Sequence, residues 1–368
     1  MRKSYSGYKV EFTSDAFGES ETLAKILTKK AKKRPSSSPR VMIVADNNVV
    51  QHTDGLGTKI GRYVQSHGIA LAGSPILVGG GEKVKTDNLQ SVMRTITAML
   101  NAKIGREDIV LAIGGGAVLD VAGYAAAQVR GGIPVLRMPT TPQAMMDAAF
   151  TDYAAMDTST VKDALRVQSI PTAVVIDTGF AATILDGVWK GGLGDAVRIA
   201  LAHDSSFFRE LTELSVDYRS RDIEALDRIV REVYSIRSKK GDTSLGLWSA
   251  MRLQSMSGYK LPHGYAVSIG TLIEIAYSIA RGKTEPSALD RAIDIFGRED
   301  ALEWLSHSKF MLSQAESLAC GAEAWKLSSK TPAIETLSKI GKTKMVKELN
   351  MDAFTQGIEN LISLAETR

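Results

Sequence analysis

The sequence predicts an α/β domain built on a parallel sheet, followed by an all-α domain. Three observations support this fold class. Short apolar runs alternate with helical segments up to about residue 180, strand signals stop after that point, and 368 residues exceed what one core usually holds. We therefore expect an α/β domain over residues 1–180 and a helical domain over residues 181–368.

The apolar runs of the first half are predicted to be buried parallel strands, because they lack the polar alternation of a half-exposed sheet. They cover residues 41–45, 75–78, 108–113, 134–138 and 173–176. Segments 88–101 and 117–129 between them have helical periodicity. A sheet covered by helices on both faces follows from this alternation.

The second half is predicted to be helical from its amphipathic patterns. The predicted helices cover residues 194–211, 221–238, 247–257 and 263–281.

Composition excludes several classes of protein. Lysine plus arginine exceeds aspartate plus glutamate by only four, 45 against 41, which does not favour a nucleic-acid binder. We interpret the basic stretch 29–40 as a helix end followed by a solvated loop. Cys320 is the one cysteine, so no intrachain disulfide forms. The apolar run 266–280 contains Glu274 and is too short to span a bilayer. With no signal-peptide pattern at the start, we expect a cytoplasmic protein.

A glycine turn at residues 114–116 lies where a predicted strand ends and a helix begins. Backbone amides in such a turn can approach a pyrophosphate, and the helix N-terminus adds partial positive charge. A tight turn that simply needs small residues is the alternative. Asp120 follows four residues after Gly116.

Polar residues follow several other predicted strands, at the edge where parallel sheets bind ligands. Asp46 is placed to accept hydrogen bonds from a ribose, and residues 81–85 offer further ribose and phosphate contacts. Each residue alone is equally typical of a cap or turn, and the shared placement favours a nucleotide site. The predicted cofactor residues are Asp46, Glu82, Lys85, Gly114, Gly115, Gly116, Asp120, Thr140 and Thr141.

Taken together, these elements resemble the dehydroquinate synthase family of sugar phosphate cyclases. The matching segments are residues 81–85, 114–120, 130–133, 139–141 with Asp147, 174–178, 192–198 and 261–264. The resemblance extends from about residue 40 to 282. It implies the two-domain fold, NAD bound by the first domain, and a homodimer in which Arg130 reaches the partner's site.

The resemblance also implies a reaction. NAD oxidises an alcohol of a phosphorylated sugar, phosphate is eliminated, NADH reduces the ketone again, and the product closes to a ring. Zinc or cobalt polarises the alcohol oxygen in this family, and the matching ligands here are Asp195 and His263. The matching catalytic residues are Asp147 beside the nicotinamide, Lys162 and Arg130 as anion contacts, and Tyr153 as a proton donor.

The sequence departs from the family pattern at several of these positions. Leu247 replaces a second metal histidine, and Tyr153 replaces the substrate lysine. Asp157 and Asp163 replace asparagines, and their charges would repel phosphate. His203 and Asp242 are both open as a third metal ligand.

Three functions are compatible with this pattern. The one we predict is an NAD-dependent sugar phosphate cyclase acting on a divergent, less anionic phosphorylated sugar or polyol. The second is a polyol oxidoreductase resembling glycerol dehydrogenases, whose metal-aspartate motif is similar to residues 192–196. The third is an NAD-binding pseudoenzyme without turnover. No nucleic-acid or membrane partner is expected for any of them.

Overall fold

The computed structural model describes residues 7–31, 40–329 and 331–366. The chain divides into two compact units, with the boundary between Leu185 and Asp186. The boundary expected from the sequence was at residue 180. Most of the basic stretch 29–40 lies outside the described residues. No helix in the described part of the chain is long and apolar enough to cross a membrane.

The first unit is organised around a seven-stranded parallel sheet with the order β1-β9-β6-β5-β2-β3, in which β4 also pairs with β2. A short antiparallel hairpin, β7–β8, lies outside this sheet. The strands of the described part of this unit are β1 (Lys9–Thr13), β2 (Arg40–Asp46), β3 (Ala70–Leu71), β4 (Ile76–Val78), β5 (Ile109–Gly114), β6 (Val135–Pro139), β7 (Tyr153–Met156), β8 (Leu165–Gln168) and β9 (Ala173–Asp177).

Helices pack against this sheet, and the predicted covering of the central strands is confirmed. Every residue of β5, β6 and β9 is buried. The helices of this unit are α1 (Thr22–Ala31), α2 (Asn47–His52), α3 (Leu56–Ser66), α4 (Gln90–Asn101), α5 (Gly116–Gln128) and α6 (Pro142–Met146), with 3₁₀ turns at Glu82–Lys85, Ala148–Phe150 and Thr178–Thr183.

The register of the sheet brings the carboxyl ends of its central strands level. Ala45 pairs with Ile113, and Asp46 pairs with Val78. On the other side, Gly114 pairs with Pro139. Residues that follow these strands therefore share one edge of the sheet, which is the usual ligand-binding edge of a parallel α/β fold.

The second unit is a helical bundle centred on an almost wholly buried helix, α12, which packs against α8, α11 and α16. Its helices are α7 (Asp186–Lys190), α8 (Leu193–His203), α9 (Ser205–Arg219), α10 (Ile223–Lys240), α11 (Leu247–Met256), α12 (His263–Ala280), α13 (Ser287–Phe296), α14 (Arg298–Leu312), α15 (Ala315–Ser328) and α16 (Met351–Glu366).

Two details of this unit differ from the prediction. The helix expected over residues 194–211 is two helices, because Asp204 caps α9 by accepting hydrogen bonds from the N–H groups of Ser206 and Phe207. A short antiparallel hairpin of β10 (Ile334–Lys339) and β11 (Lys342–Val346) also interrupts the helical pattern. Only residues 334–337 of β10 are buried. This buried stretch is too short to produce a clear strand pattern in the sequence.

Candidate functional site

The glycine turn lies where β5 ends and α5 begins, and it is tightly packed. A Cβ atom on Gly114 would lie 2.7 Å from the Cβ of Val118, and one on Gly116 would lie 3.0 Å from the Cβ of Ala148. Packing alone therefore requires small residues here. The same turn places the positive end of the α5 dipole at the carboxyl edge of the sheet, which suits a pyrophosphate.

Asp46 lies beside this turn, at the end of β2. Its carboxylate is buried, accepts a hydrogen bond from the Asn48 N–H at 2.9 Å, and caps α2. Burial raises the pKa of this carboxyl. A Cβ atom on Gly80 would lie 2.5 Å from Asp46 Oδ2, so the loop after β4 passes directly over the carboxylate. Asp46 is thus both a helix cap and the acidic group of the predicted ribose site.

Thr140 and Thr141 follow β6 and differ in their hydrogen bonding. The Thr141 hydroxyl caps α6 by accepting a hydrogen bond from Ala144 N–H. Thr140 is fully buried, and its backbone N–H donates to the Gly114 carbonyl at 3.1 Å. Within the described residues, Thr140 Oγ1 has no hydrogen-bond partner. Because an unsatisfied buried hydroxyl costs stability, its position beside the glycine turn fits a bound polar ligand.

Six charged side chains of the first unit form one buried ion cluster. Lys85 Nζ lies 2.7 Å from Asp120 Oδ2 and 2.8 Å from Asp163 Oδ1. Lys162 pairs with Glu82 and lies 3.0 Å from Asp157 Oδ2. We refer to Glu82, Lys85, Asp120, Asp157, Lys162 and Asp163 as the ion cluster.

The ion cluster is assembled by the segment between β7 and β8. The Asp163 N–H donates to the Asp157 carboxylate at 2.8 Å, with Asp163 in the left-handed region at φ 52°. The Asp157 N–H donates to the Lys85 carbonyl, and the Ala155 N–H donates to Asp120 Oδ1. The hairpin is therefore hydrogen-bonded to both α5 and the Glu82–Lys85 turn.

The charges of the ion cluster shift the pKa values of Lys85 and Asp163 toward their ionised forms. Burial alone would lower the pKa of Lys85, but Asp120, Asp163 and Asp157 outweigh it and raise that pKa well above its ordinary value. Burial would likewise raise the pKa of the Asp163 carboxyl, and the charge of Lys85 instead holds it below its usual range. Burial raises the pKa of Asp120 despite its pair with Lys85.

This arrangement bears on four predicted site residues. Glu82, Lys85 and Asp120 were expected to contact the cofactor, and Lys162 to contact a substrate anion. The structure brings all four into the ion cluster, where both ammonium groups already pair with carboxylates. Two lysines face four carboxylates, so a further anion meets a net negative cluster. Their roles toward ligands stay predictions.

Of the other three predicted catalytic residues, Asp147 and Tyr153 flank the 3₁₀ turn Ala148–Phe150, and Arg130 follows α5. Tyr153 begins β7, and the Arg166 guanidinium stacks 4.7 Å from its ring centre. Burial, reinforced by the Asp163 charge, raises the pKa of the Tyr153 phenol, making it a weaker acid. Asp147 directly follows α6. Arg130 follows the C-terminal end of α5, the end away from the glycine turn, and is exposed.

Arg137 is a structural residue that sequence reasoning did not single out. It is buried in β6, and its guanidinium donates to the carbonyls of Thr151 and Ser169, each at 2.7 Å. It therefore holds the segment before β7 and the end of β8 against the sheet. The signal that could have marked it is a single arginine inside an otherwise apolar strand.

In the second unit, the predicted metal ligand Asp195 is engaged in a buried ion pair. Asp195 and Arg198 lie on α8, 1% and 0% exposed, and Arg198 Nε lies 2.7 Å from Asp195 Oδ1. Arg198 also donates to the Thr243 carbonyl at 2.6 Å and lies 3.8 Å from the Asp242 carboxylate.

His263, the other predicted ligand, begins α12. Its Nδ1 lies 2.9 Å from Oε1 of Gln254 on α11. The first turns of α8 and α12 approach closely: a Cβ atom on Gly191 would lie 3.0 Å from the Cα of Gly264, and one on Gly194 would lie 2.9 Å from Ser268 Oγ. Asp195 and His263 therefore belong to adjoining helix turns.

These residues do not fit a resident catalytic zinc or cobalt ion, which usually takes three protein ligands and keeps one open position. Among the described residues, no three His, Cys, Asp or Glu side chains are grouped to hold a metal. Leu247 packs on an apolar cluster of Ala250, Ala266 and Val267. Asp242 pairs with Arg237 at 2.9 Å, and burial lowers the pKa of His203 at the far end of α8.

A cavity of about 550 Å³ lies in the second unit beside the segment that contains His263. Tyr265 and Trp304 stack on one another in its wall, with ring centres 4.5 Å apart. Lys190 pairs there with Asp300 at 2.9 Å and with Asp186 at 3.3 Å. Its wall thus combines an aromatic face with charged groups, of which Asp186 and Asp300 pair with Lys190.

Comparison with known proteins identifies relatives of this chain. Residues 75–189 match the family model described as 3-dehydroquinate synthase N-terminal. A 3-dehydroquinate synthase of Shewanella halifaxensis is 24% identical over 300 residues, which cover 77% of this chain and 78% of that protein. A bifunctional 3-dehydroquinate synthase/phosphatase of Fusobacterium nucleatum is 28% identical over 63% of this chain, but the match spans only 37% of that protein.

Solved structures share the fold over nearly the whole chain. The 2-epi-5-epi-valiolone synthase of Streptomyces hygroscopicus, with NAD⁺ and Zn²⁺ bound, has a TM-score of 0.78 at 20% identity and 98% coverage of both chains. A 2-deoxy-scyllo-inosose synthase with carbaglucose-6-phosphate, NAD⁺ and Co²⁺ has a TM-score of 0.72 at 16% identity and 96% coverage of both chains. A probable glycerol dehydrogenase of Sinorhizobium meliloti scores 0.59 at 15% identity and 98% coverage of both chains.

A parallel-sheet unit followed by a helical unit is the fold that this chain shares with these solved structures. The match over residues 75–189 and the 24–28% identity to 3-dehydroquinate synthases confirm the predicted resemblance of this chain to the dehydroquinate synthase family.

Proposed function

We propose that this chain is an NAD-dependent sugar phosphate cyclase that acts on a divergent substrate. The observation on which this rests is the turn between β5 and α5, with the unsatisfied hydroxyl of Thr140 beside it. Relatives along most of the chain are 3-dehydroquinate synthases, which supports the reaction class.

The residues of the first unit fit NAD. The glycine turn and the N-terminus of α5 suit the pyrophosphate, Asp46 suits a ribose hydroxyl, and Thr140 Oγ1 offers a hydrogen bond. When bound, NAD supplies a hydride acceptor for alcohol oxidation. The part of this chain is to bind the dinucleotide and orient it through these groups.

The substrate we propose is a phosphorylated sugar or polyol that carries less negative charge than the usual substrate of the family. Lys85 and Lys162 are held by four carboxylates, so neither ammonium is available without breaking a buried ion pair. A neutral, hydroxyl-rich part of a substrate meets no such repulsion. The proposed substrate still carries one phosphate, because the elimination step of the reaction requires phosphate as its leaving group.

A second candidate function is NAD binding without turnover. It is favoured by the Asp195–Arg198 ion pair, because the carboxylate expected to bind the catalytic metal is engaged by a guanidinium. A homodimer with Arg130 at the partner's site remains a prediction, which light scattering of the purified chain tests.

The test is a calorimetric titration of NAD into the full chain, followed by a screen of sugar phosphates and polyols. We expect NAD to bind to the wild type, and the Gly115→Asp variant not to bind it, because the new side chain meets Thr141 and its charge opposes the pyrophosphate. A wild type that does not bind NAD contradicts the proposal.

The screen distinguishes the functions by their products. A cyclase releases inorganic phosphate with no net NADH, because the ketone is reduced again. A polyol oxidoreductase accumulates NADH, which absorbs at a wavelength that NAD does not. NAD binding without either product across the screen supports the second candidate.

A further inference from the structure

We propose that the Arg198 guanidinium neutralises the Asp195 carboxylate in place of a metal ion. It thereby excludes zinc and cobalt from the Asp195–His263 site. This inference goes beyond the proposed NAD binding and bears on the choice between the two candidate functions, since a site without metal favours NAD binding without turnover. It replaces the predicted metal site with an ion pair that belongs to the chain itself.

The first argument is the burial and geometry of the pair. Both side chains are almost wholly inaccessible, and Arg198 lies three residues after Asp195 on the same helix. The 2.7 Å contact between Nε and Oδ1 is a charge-assisted hydrogen bond. Because both residues belong to one helix, this contact is a local feature of α8.

The second argument is that the guanidinium has further acceptors. Arg198 Nη1 donates to the Thr243 carbonyl at 2.6 Å. The loop that presents this carbonyl is itself fixed, because the Glu335 carboxylate accepts hydrogen bonds from Ser244 N–H at 2.6 Å and from Ser244 Oγ at 3.0 Å. Arg198 is therefore held from two sides, and swinging it away from Asp195 breaks buried hydrogen bonds.

The third argument is electrostatic. A divalent ion bound to Asp195 at an ordinary zinc–oxygen distance would share a buried site with the fixed positive charge of Arg198. Like charges repel strongly where water does not screen them. His263 offers one ring nitrogen for a metal, because its Nδ1 interacts with Gln254. One imidazole and a carboxylate whose Oδ1 already pairs with Arg198 do not offset this repulsion.

The experiment measures metal binding directly, without relying on activity. The full chain is treated with a chelator, desalted, and titrated with zinc chloride by calorimetry and with cobalt chloride by visible absorption. For the wild type we expect no stoichiometric heat, no tetrahedral cobalt spectrum, and the same melting temperature with chelator as with zinc.

A paired set of variants tests the role of Arg198. The double variant Arg198→Gln, Leu247→His removes the cation and adds an imidazole at the start of α11, where Leu247 packs on the first turns of α12. The matched control is Arg237→Gln, Leu247→His, which removes a different buried arginine, 1% exposed and paired with Asp242. We expect the first variant to gain a cobalt spectrum and the control to gain none.

Either of two results overturns the proposal. One is stoichiometric zinc binding by the wild type that His263→Ala abolishes. The other is equal behaviour of the two double variants, because Arg198 would then not be the group that excludes metal. If the double variants do not fold, the wild-type titration and melting curves decide alone. An NAD titration on the same wild-type sample tests the proposed function separately, since it does not depend on the metal result.

Discussion

Lys85 Nζ lies 2.7 Å from Asp120 Oδ2, and the lysine side chain is only 5% exposed. This pair joins the Glu82–Lys85 turn to α5, the helix that begins at the glycine turn. Because Lys85 also pairs with Asp163, its charge supports carboxylates from two different segments of the first unit.

The Lys85→Met variant is expected to lower the free energy of unfolding by about 3–5 kcal/mol, because it leaves buried carboxylates without a compensating charge. Urea unfolding at neutral pH measures the loss. Lys83→Met is the control, since Lys83 is exposed on the same turn and its loss costs under about 0.5 kcal/mol. Equal stability of the two variants would contradict the assigned role of the ion cluster.

The Thr140→Val variant tests the unsatisfied hydroxyl. Without NAD we expect unchanged or slightly higher stability, because a buried hydroxyl without a partner is removed while the shape is kept. The affinity for NAD is expected to fall about fivefold, as for one lost hydrogen bond of about 1 kcal/mol. Calorimetry measures both parts of the prediction.

Thr95→Val is the matched control for this variant. Thr95 is also fully buried, but its hydroxyl donates to the Ser91 carbonyl at 2.8 Å. It should therefore lower stability and leave the affinity for NAD unchanged. If Thr140→Val leaves the affinity for NAD unchanged, the Thr140 hydroxyl has no part in the cofactor site.

Glu274 predicts a pH dependence of stability. It lies buried on α12, accepts a hydrogen bond from the Leu337 N–H at 2.8 Å, and has its pKa raised to about 8 by burial. A raised carboxyl pKa means that the folded state holds a proton which the unfolded state releases above its ordinary pKa of 4.5. Stability is therefore complete below about pH 4.5 and falls as pH rises toward 8, by about 1.4 kcal/mol per unit.

Chemical unfolding of wild type and Glu274→Gln from pH 5 to 8 measures this slope, with pH as the only variable. The difference between the two proteins isolates Glu274, because the amide does not titrate while other groups titrate in both. The wild type should lose stability relative to the variant at each step up in pH. Parallel curves would show that Glu274 titrates near its ordinary pKa.

Arg137→Met is expected to lower the free energy of unfolding by about 3 kcal/mol, because the Thr151 and Ser169 carbonyls lose a charged donor in the interior. Arg166→Met serves as the comparison. Its guanidinium is 30% exposed and lies 3.8 Å from Asp163, so its removal should cost about 1 kcal/mol or less. Urea midpoints of the two variants measure the contrast, and the reverse order would contradict it.

The sequence predicted the central sheet well, for a clear physical reason. Strands buried on both faces are continuous apolar runs, and the run predicted at 108–113 corresponds to β5, Ile109–Gly114. The edge strand β1 was missed because its residues are partly exposed and include Lys9 and Glu11, so no apolar run marks it. Edge strands carry a weaker composition signal than central strands.

The candidate site was predicted in part. Parallel strands end level, so residues such as Asp46, Gly114 and Thr140 could be assigned to one edge of the sheet from the strand pattern alone. The partners of Lys85 and Lys162 could not, because they depend on the hairpin of β7 and β8. Each of these strands has four residues, and a buried lysine is recognised only from the carboxylates that the fold brings to it.

The pairing of β1 with β9 has a consequence for synthesis of the chain. Lys9 pairs with Ala173, and Thr13 with Asp177. Within the described part of this unit, β1 is made before the other strands, so it has no partner in the sheet until β9 has been made. Until then residues 9–13 are an unpaired segment, and completion of the sheet is delayed to the end of translation of the first unit, as is general for contacts between distant parts of a chain.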